Sequence, residues 1–294
     1  MALLRNFSEY AGSLRLLACG AALALMSLAQ AAAISESEVT IPVAVKGLFG
    51  ESRANLAATE YRPEGDGPFP LIVINHGSPR SAADRARTTG KYRAQSEALA
   101  ARGFVVINPV RRGYGKSDGP WAEDYFSCAN PAYVEAGLET AKDIAAAIDY
   151  AKTRPYIDAG RIVLIGKSAG GFGVLALASQ NPPGVVGAIN FAGGRGSRGP
   201  NEVCNENRLV DAFARYAGTT KAPMLWFYAE NDLYFGPVLV ARMADAYRSK
   251  GVDLHYVALP AHGKDGHAFF DDRRNVDAWI DTVEAFLKKT GALR

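Results

Sequence analysis

Apolar residues along this chain come in short continuous runs, separated by stretches where they recur every three or four positions. Continuous runs of four to eight apolar residues mark strands buried on both faces. Such runs lie at Leu71–Asn75, Phe104–Asn108, Ile162–Ile165, Val185–Phe191, Met224–Tyr228 and Leu254–Leu259. Between the second and third, Leu138, Ala141, Ile144, Ala145 and Ile148 define one face of a helix. Further helices are expected at Tyr92–Arg102, Ser168–Gln180, Pro237–Lys250 and Asn275–Leu287. Upstream, Val39–Val45 and Leu56–Tyr61 read as short antiparallel strands around a Gly-rich turn. Strands alternating with helices predict an α/β fold with a mainly parallel central sheet and helices on both faces. No repeat or Pro-rich linker interrupts residues 34–294, so one domain is expected there.

The first 33 residues follow another pattern. Arg5 and Arg15 precede the apolar run Leu16–Leu28, and small residues follow it at Ala29-Gln30-Ala31 and Ala31-Ala32-Ala33. That is the three-part layout of a secretory signal, too short for a comfortable membrane span. The expectation is export to the periplasm or the medium, cleavage after Ala31 or Ala33, and no stable membrane insertion afterwards. An uncleaved anchor is the alternative. Cys19 precedes most of the apolar run, whereas a lipid-bearing cysteine would follow it. Cleavage leaves Cys128 and Cys204, and two thiols in an exported protein predict a disulfide. No His and Cys spacing suits a metal, and neither a metal nor a cofactor is expected. A formal charge of +3 over 294 residues, without long basic runs, gives no case for nucleic acid.

In a parallel sheet, functional residues gather on loops at the carboxyl ends of strands. Those loops carry His76-Gly77-Ser78-Pro79, then Arg111 to Gly119, Ser168, Glu230-Asn231-Asp232, and a segment with His262 and His267. The stretch around Ser168, Gly166-Lys167-Ser168-Ala169-Gly170, fits two templates by its letters. A phosphate-binding loop needs four residues between its glycine and Gly-Lys-Ser. Here five residues separate Gly160 from Gly166, and they are the apolar strand run Arg-Ile-Val-Leu-Ile. The other template is Gly-x-Ser-x-Gly, in which a strand turns sharply into a helix and lifts a serine hydroxyl above the sheet. A serine is a weak nucleophile until a base takes its proton; histidine does so near neutral pH, and a carboxylate fixes its tautomer.

Ser168, Asp232 and His267, in that chain order, together with "RRGYGKSDG" and "GKSAGG", resemble the α/β-hydrolase superfamily. Within it the chain is most similar to secreted relatives of dienelactone hydrolases and to the catalytic domain of prolyl-oligopeptidase-type peptidases. The resemblance runs from about residue 40 to the C-terminus, and it departs from dienelactone hydrolases proper in having serine where they use cysteine. It implies the α/β-hydrolase fold. It favours His267, in Gly266-His267-Ala268-Phe269, over His262 as the base, and places His76 in the oxyanion loop. The Ala169 N–H and an N–H of the 76–79 loop would then hold the oxyanion. Pro79 has no N–H, which leaves Ser78. Asp232 lies deeper in its loop than Glu230.

The expected activity is cleavage of a carboxylic ester or similar acyl compound through an acyl-enzyme. A serine peptidase acting on short peptides is the alternative, and a non-catalytic binding protein on the same scaffold is the other. Partners would be a small-molecule ester or a short peptide. Residues 110–135 and 192–222 are expected as the loops that shape the pocket. Arg111 and Arg112 are open to two roles, clamping a substrate carboxylate or pairing inside the fold. Lys167 stands as a possible tuner of the site or a tolerated variable residue, and Tyr114 and Trp121 as cleft or core residues.

Overall fold

Alternate residues of the central predicted strands point into separate cores. Leu71, Val73, Ile162 and Leu164 enter one apolar cluster, while Ile72, Ile74, Val163 and Ile165 enter another. A strand buried on both faces needs apolar residues at every position, which is why these segments read as unbroken runs. The computed structural model describes residues 33–47 and 50–294, so all but the last residue of the expected 1–33 signal lies outside it.

The main sheet has eight strands. Three open it in sequence, β1 (Ile34–Gly47), β2 (Gly50–Pro63) and β3 (Phe69–Asn75), followed by β4 (Val105–Pro109), β5 (Ile157–Lys167) and β6 (Val185–Phe191). A small hairpin of β7 (Ser197–Gly199) and β8 (Glu202–Val203) intervenes before β9 (Met224–Ala229) and β10 (Leu254–Leu259). The order across the sheet is β1-β2-β4-β3-β5-β6-β9-β10. The β1–β2 and β2–β4 pairs are antiparallel and the rest parallel.

The helices are α1 (Ala82–Arg85), α2 (Arg93–Ala100), α3 (Tyr133–Lys152), α4 (Ala169–Ala178), α5 (Glu206–Ala217), α6 (Pro237–Arg248) and α7 (Val276–Lys289). Buried residues of α3, α4, α5 and α6 join the first cluster, and those of α2 and α7 the second. The sheet is thus covered on both faces. Ala32–Arg294 forms one compact unit.

Two expectations need correction. Residues 192–222 are not a loop throughout: α5 occupies 206–217, capped by the Asn205 side chain on the Arg208 N–H. Its Leu209, Ala212, Phe213, Tyr216 and Ala217 form a buried face at helical spacing. The two N-terminal strands are also 14 residues each rather than short, paired in register along their whole length. Among the described residues no helix is long and apolar enough to cross a membrane, and no group of three or more His, Cys, Asp or Glu is placed to hold a metal.

Candidate active site

Strand β5 ends at Lys167, and helix α4 begins at Ala169. Ser168 alone makes the turn, with φ 55° and ψ −123°, a backbone region that a side chain occupies under strain. Its N–H donates to the Phe191 carbonyl (3.0 Å), and its own carbonyl accepts from Phe172 (2.9 Å) and Gly194 (3.2 Å), which holds the strained conformer. The glycines make the turn possible. A Cβ on Gly166 would lie 2.4 Å from the Gly170 backbone, and one on Gly170 would lie 2.3 Å from the Asn75 carbonyl oxygen.

Asp232 follows β9 and His267 follows β10, adjacent parallel strands, so the fold delivers both to the edge that holds Ser168. His267 Nε2 stands 3.0 Å from Ser168 Oγ, and its Nδ1 stands 3.0 Å from Asp232 Oδ2. The carboxylate fixes the tautomer, with the proton on Nδ1 and the Nε2 lone pair toward the serine hydroxyl. Asp232 Oδ1 also accepts the N–H groups of Tyr234 (2.7 Å) and Phe235 (2.9 Å). All three side chains are buried. Burial, with the Lys167 charge adding to it and Asp232 opposing, lowers the His267 pKa below its ordinary 6.5. The ring lies flat against Tyr234, centroids 3.8 Å apart, and the Arg80 guanidinium covers the other face of Tyr234 at 3.9 Å.

Asp265 joins the two loops. Its Oδ1 accepts the Leu233 N–H (3.0 Å) and the His267 N–H (2.9 Å), and Gly266 N–H donates to Asn231 O (3.1 Å). Sequence reasoning missed it, because the backbone N–H groups it accepts give no signal in the residues that carry them. The rival residues are elsewhere. Glu230 and His255 are exposed. His262 bonds to Asn275 (3.2 Å) and faces Asp272 at 3.6 Å.

Beside Ser168, the 76–79 loop is anchored from beneath. His76 is buried, donates through Nδ1 to Gly77 O (2.7 Å) and accepts the Arg111 N–H at Nε2 (3.1 Å). Burial and then the Arg111 charge push its pKa down to about 3, so the ring is a neutral structural link. Arg111 and Arg112 both take the pairing role. Arg112 holds Asp143 at 2.6 Å, and Arg111 holds Glu123 and donates to the His76 carbonyl at 2.7 Å. Glu123 also receives Arg195 at 2.7 Å. Burial opposes the Glu123 charge, but the two guanidiniums outweigh it and hold the carboxyl below the usual carboxylate range.

Tyr114 is buried; its Oη donates to Glu123 (2.8 Å), accepts from Trp121 Nε1 (2.9 Å) and lies 2.8 Å from Ser78 Oγ. Trp121 instead lines the cleft. Among the described residues the backbone N–H groups of Ser78 and Ala169 have no protein acceptor. Lys167 pairs with Asp271 at 2.8 Å. Cys128 and Cys204 form a disulfide across 76 residues.

Two clefts meet at Ser168. One, of about 300 Å³, is lined by Ala169, Trp121, Tyr125 and the 194–198 segment. The other, of about 530 Å³, is lined by His267, Lys167 and residues of the 84–95 stretch. A serine with a histidine and a carboxylate in line, beside two free N–H groups, has the geometry for acyl transfer.

Dipeptidyl-peptidase 5 of Porphyromonas gingivalis is 28% identical over 125 residues, 42% of this chain and 17% of that protein. Poly(3-hydroxyalkanoate) depolymerase C of Paucimonas lemoignei is 29% identical over 196 residues, 66% of this chain and 43% of that protein. The chain thus spans less than half the length of either. The structure of a proposed dienelactone hydrolase from Klebsiella pneumoniae superposes with a TM-score of 0.60 at 20% identity, over 88% of this chain and 99% of that one, a likeness of fold. The model of the X-Pro dipeptidyl-peptidase (S15 family) matches residues 52–235, more than half of the chain. The chain therefore belongs to that peptidase family, within the α/β-hydrolase superfamily.

Proposed function

We propose that the protein is an exported serine hydrolase that cleaves a carboxylic ester through an acyl-enzyme. The observation that carries the reading is the line of contacts Ser168 Oγ, His267, Asp232, each link 3.0 Å long. As Ser168 Oγ attacks the carbonyl carbon, His267 Nε2 takes its proton, and Asp232 stabilises the imidazolium. The carbonyl oxygen gains charge between the N–H groups of Ala169 and Ser78, at the start of α4, where each such donor is worth about 10²–10³ in kcat. His267 then returns the proton to the leaving oxygen, and an alcohol departs. Water, activated by the same Nε2, attacks the acyl-enzyme and releases the acid. The cycle uses side chains and backbone alone.

The family match favours a second reading, a peptidase. A dipeptidyl-peptidase takes the amino-terminal dipeptide as its acyl half, so an α-ammonium enters the acyl side of the cleft. That side is the one away from His267, since His267 must reach the leaving group. Among the described residues its lining contains no aspartate or glutamate, and the nearby Glu123 is already engaged by two arginines. The ester reading fits that lining better.

Labelling with a fluorophosphonate probe, followed by peptide mass mapping, should place the adduct on Ser168. Ser168→Ala should lose the label and at least about 10⁴-fold in turnover with folding retained. An unlabelled protein would mark a binding scaffold, and undiminished hydrolysis by the variant would reassign the nucleophile. A panel of chromogenic esters against X-Pro anilides then separates the two chemistries. Export is supported by the Arg-flanked apolar run before residue 33 and by the disulfide. The recovered protein should weigh as the chain without its first 31 or 33 residues; an intact mass overturns this.

A further inference from the structure

The charges around the two clefts are balanced differently. On the leaving-group side every cation has a carboxylate. Arg87 pairs with Asp84, Lys167 with Asp271 at 2.8 Å, and Lys91 with Glu38 at 3.5 Å and Glu36 at 3.7 Å. On the acyl side, among the described residues, four arginines line the wall and no acidic residue does. Arg195 is satisfied by Glu123, and Arg198 lies 3.6 Å from Glu202. Arg80 and Arg85 have no carboxylate partner among the described residues.

Both are nevertheless held in place. Arg80 donates to Ser197 O (3.2 Å) and Ser197 Oγ (2.7 Å) while lying over Tyr234 at 3.9 Å. Arg85 donates to Arg80 O (3.2 Å) and lies over Trp121 at 4.0 Å. A surface arginine is ordinarily mobile and hydrated. Stacking on an aromatic ring and bonding to fixed oxygens remove much of that freedom before any ligand arrives, which favours binding by preorganisation. A guanidinium has five N–H donors. These bonds use two from Arg80 and one nitrogen of Arg85, so most of the fork of each remains to accept a carboxylate.

We propose that the acyl half of the substrate carries a carboxylate, received by Arg80 and Arg85, so that the enzyme hydrolyses esters of dicarboxylic or similarly anionic acyl groups. This deepens the ester reading above and rests on it. The same wall repels the ammonium that a dipeptide acyl group would bring.

The test uses para-nitrophenyl esters of adipic, hexanoic and ε-aminohexanoic acids, which share a leaving group and differ in the charge at the far end of the acyl chain. With the mature protein, kcat/KM should be about ten- to a hundredfold higher for the adipate than for the hexanoate, the range of a charge-assisted hydrogen bond, and lowest for the amine. Raising the ionic strength from about 20 mM to about 500 mM should narrow the gap. Arg85→Gln should lower the adipate-to-hexanoate ratio about tenfold, and Arg85→Glu should shift it toward the amine. Equal rates for adipate and hexanoate in the native protein, or an unchanged ratio in Arg85→Gln, would overturn the inference while leaving the ester reading intact. Failure to turn over all three would overturn the ester reading, and the inference with it.

Discussion

Asp232 and Glu123 are both buried carboxylates. Asp232 meets two backbone N–H groups and one imidazole, whose pKa is lowered by burial and by Lys167. Glu123 meets two guanidiniums, and Tyr114 besides. In the first assembly one partner is free to gain a proton and give it back, because no permanent cation already neutralises the acid. In the second, one carboxylate is shared between two guanidiniums, so it holds shape: it ties Arg111 under the His76 carbonyl and places Tyr114 beside Ser78. Proximity of opposite charges in a buried site thus has two uses, and the partner's ability to titrate separates them.

The largest expected effect lies in the first assembly. His267→Ala should lower kcat by about 10⁴-fold or more with little change in melting temperature. His262→Ala should stay within about threefold, since its contacts are with Asn275 and Asp272. A reversed ranking in steady-state assays would reassign the base.

Glu123→Gln should act the other way. Leaving two buried arginines short of their acid costs about 3–5 kcal/mol in stability, read by denaturant unfolding. Activity measured well below the new melting point should fall far less than in His267→Ala. If activity collapses while stability holds, Glu123 belongs with the reacting groups and the contrast fails.

The disulfide sharpens the second assembly. Cys128 and Cys204 lie on the same two segments as Glu123 and Arg195, so bridge and ion pair tie one pair of strands of chain twice. Closing a 76-residue interval stabilises by up to about 4.5 kcal/mol in the chain-entropy account. Replacing both cysteines by serine should approach that loss. Combined with Glu123→Gln, the total should be less than the sum of the two. Strict additivity in unfolding measurements would show that the two ties act independently.

The smallest effect is in pH. As the proposed base, His267 would work only when neutral, and burial and Lys167 hold its folded pKa below 6.5. The acid limb of kcat/KM should therefore have its midpoint below pH 6.5. By linkage, the folded state binds this proton less readily than the unfolded one, so His267 withdraws stability as pH falls below the unfolded value. Lys167→Met removes one cause of the shift and should move the limb upward. A limb that moves down or stays put would mean Lys167 does not act on the ring.

How much of this was legible in the sequence follows from the range of the forces involved. The strands Val185–Phe191 and Leu254–Leu259 match their apolar runs residue for residue; in the first, burial on both faces writes itself into the run, while the second is an edge strand whose His255 and Ala258 are exposed. Ser168 was readable from its glycines, which backbone contact requires within five residues. Helix α5 was also written, in Leu209, Ala212, Phe213 and Tyr216, but it sat in a stretch that the search for apolar strands passed over. The partners of Glu123 were not written at all. Arg111 and Arg195 lie 12 and 72 residues away, and only the strand order brings them together. Asp265 was hidden because its work is on backbone N–H groups, which leave no mark on the residues they belong to.

The backbone of Ser168 sets stability and usefulness against each other. Its φ of 55° is held by the carbonyl of Phe191 and the N–H groups of Phe172 and Gly194, and glycine at the same place would adopt it with less strain. A variant population selected for heat resistance alone would therefore tend to discard this serine, and, on the proposed mechanism, selection for turnover would keep it. The tension of a few kcal/mol is a standing bias against the fold, borne by the sheet, and it falls on the residue proposed as the nucleophile.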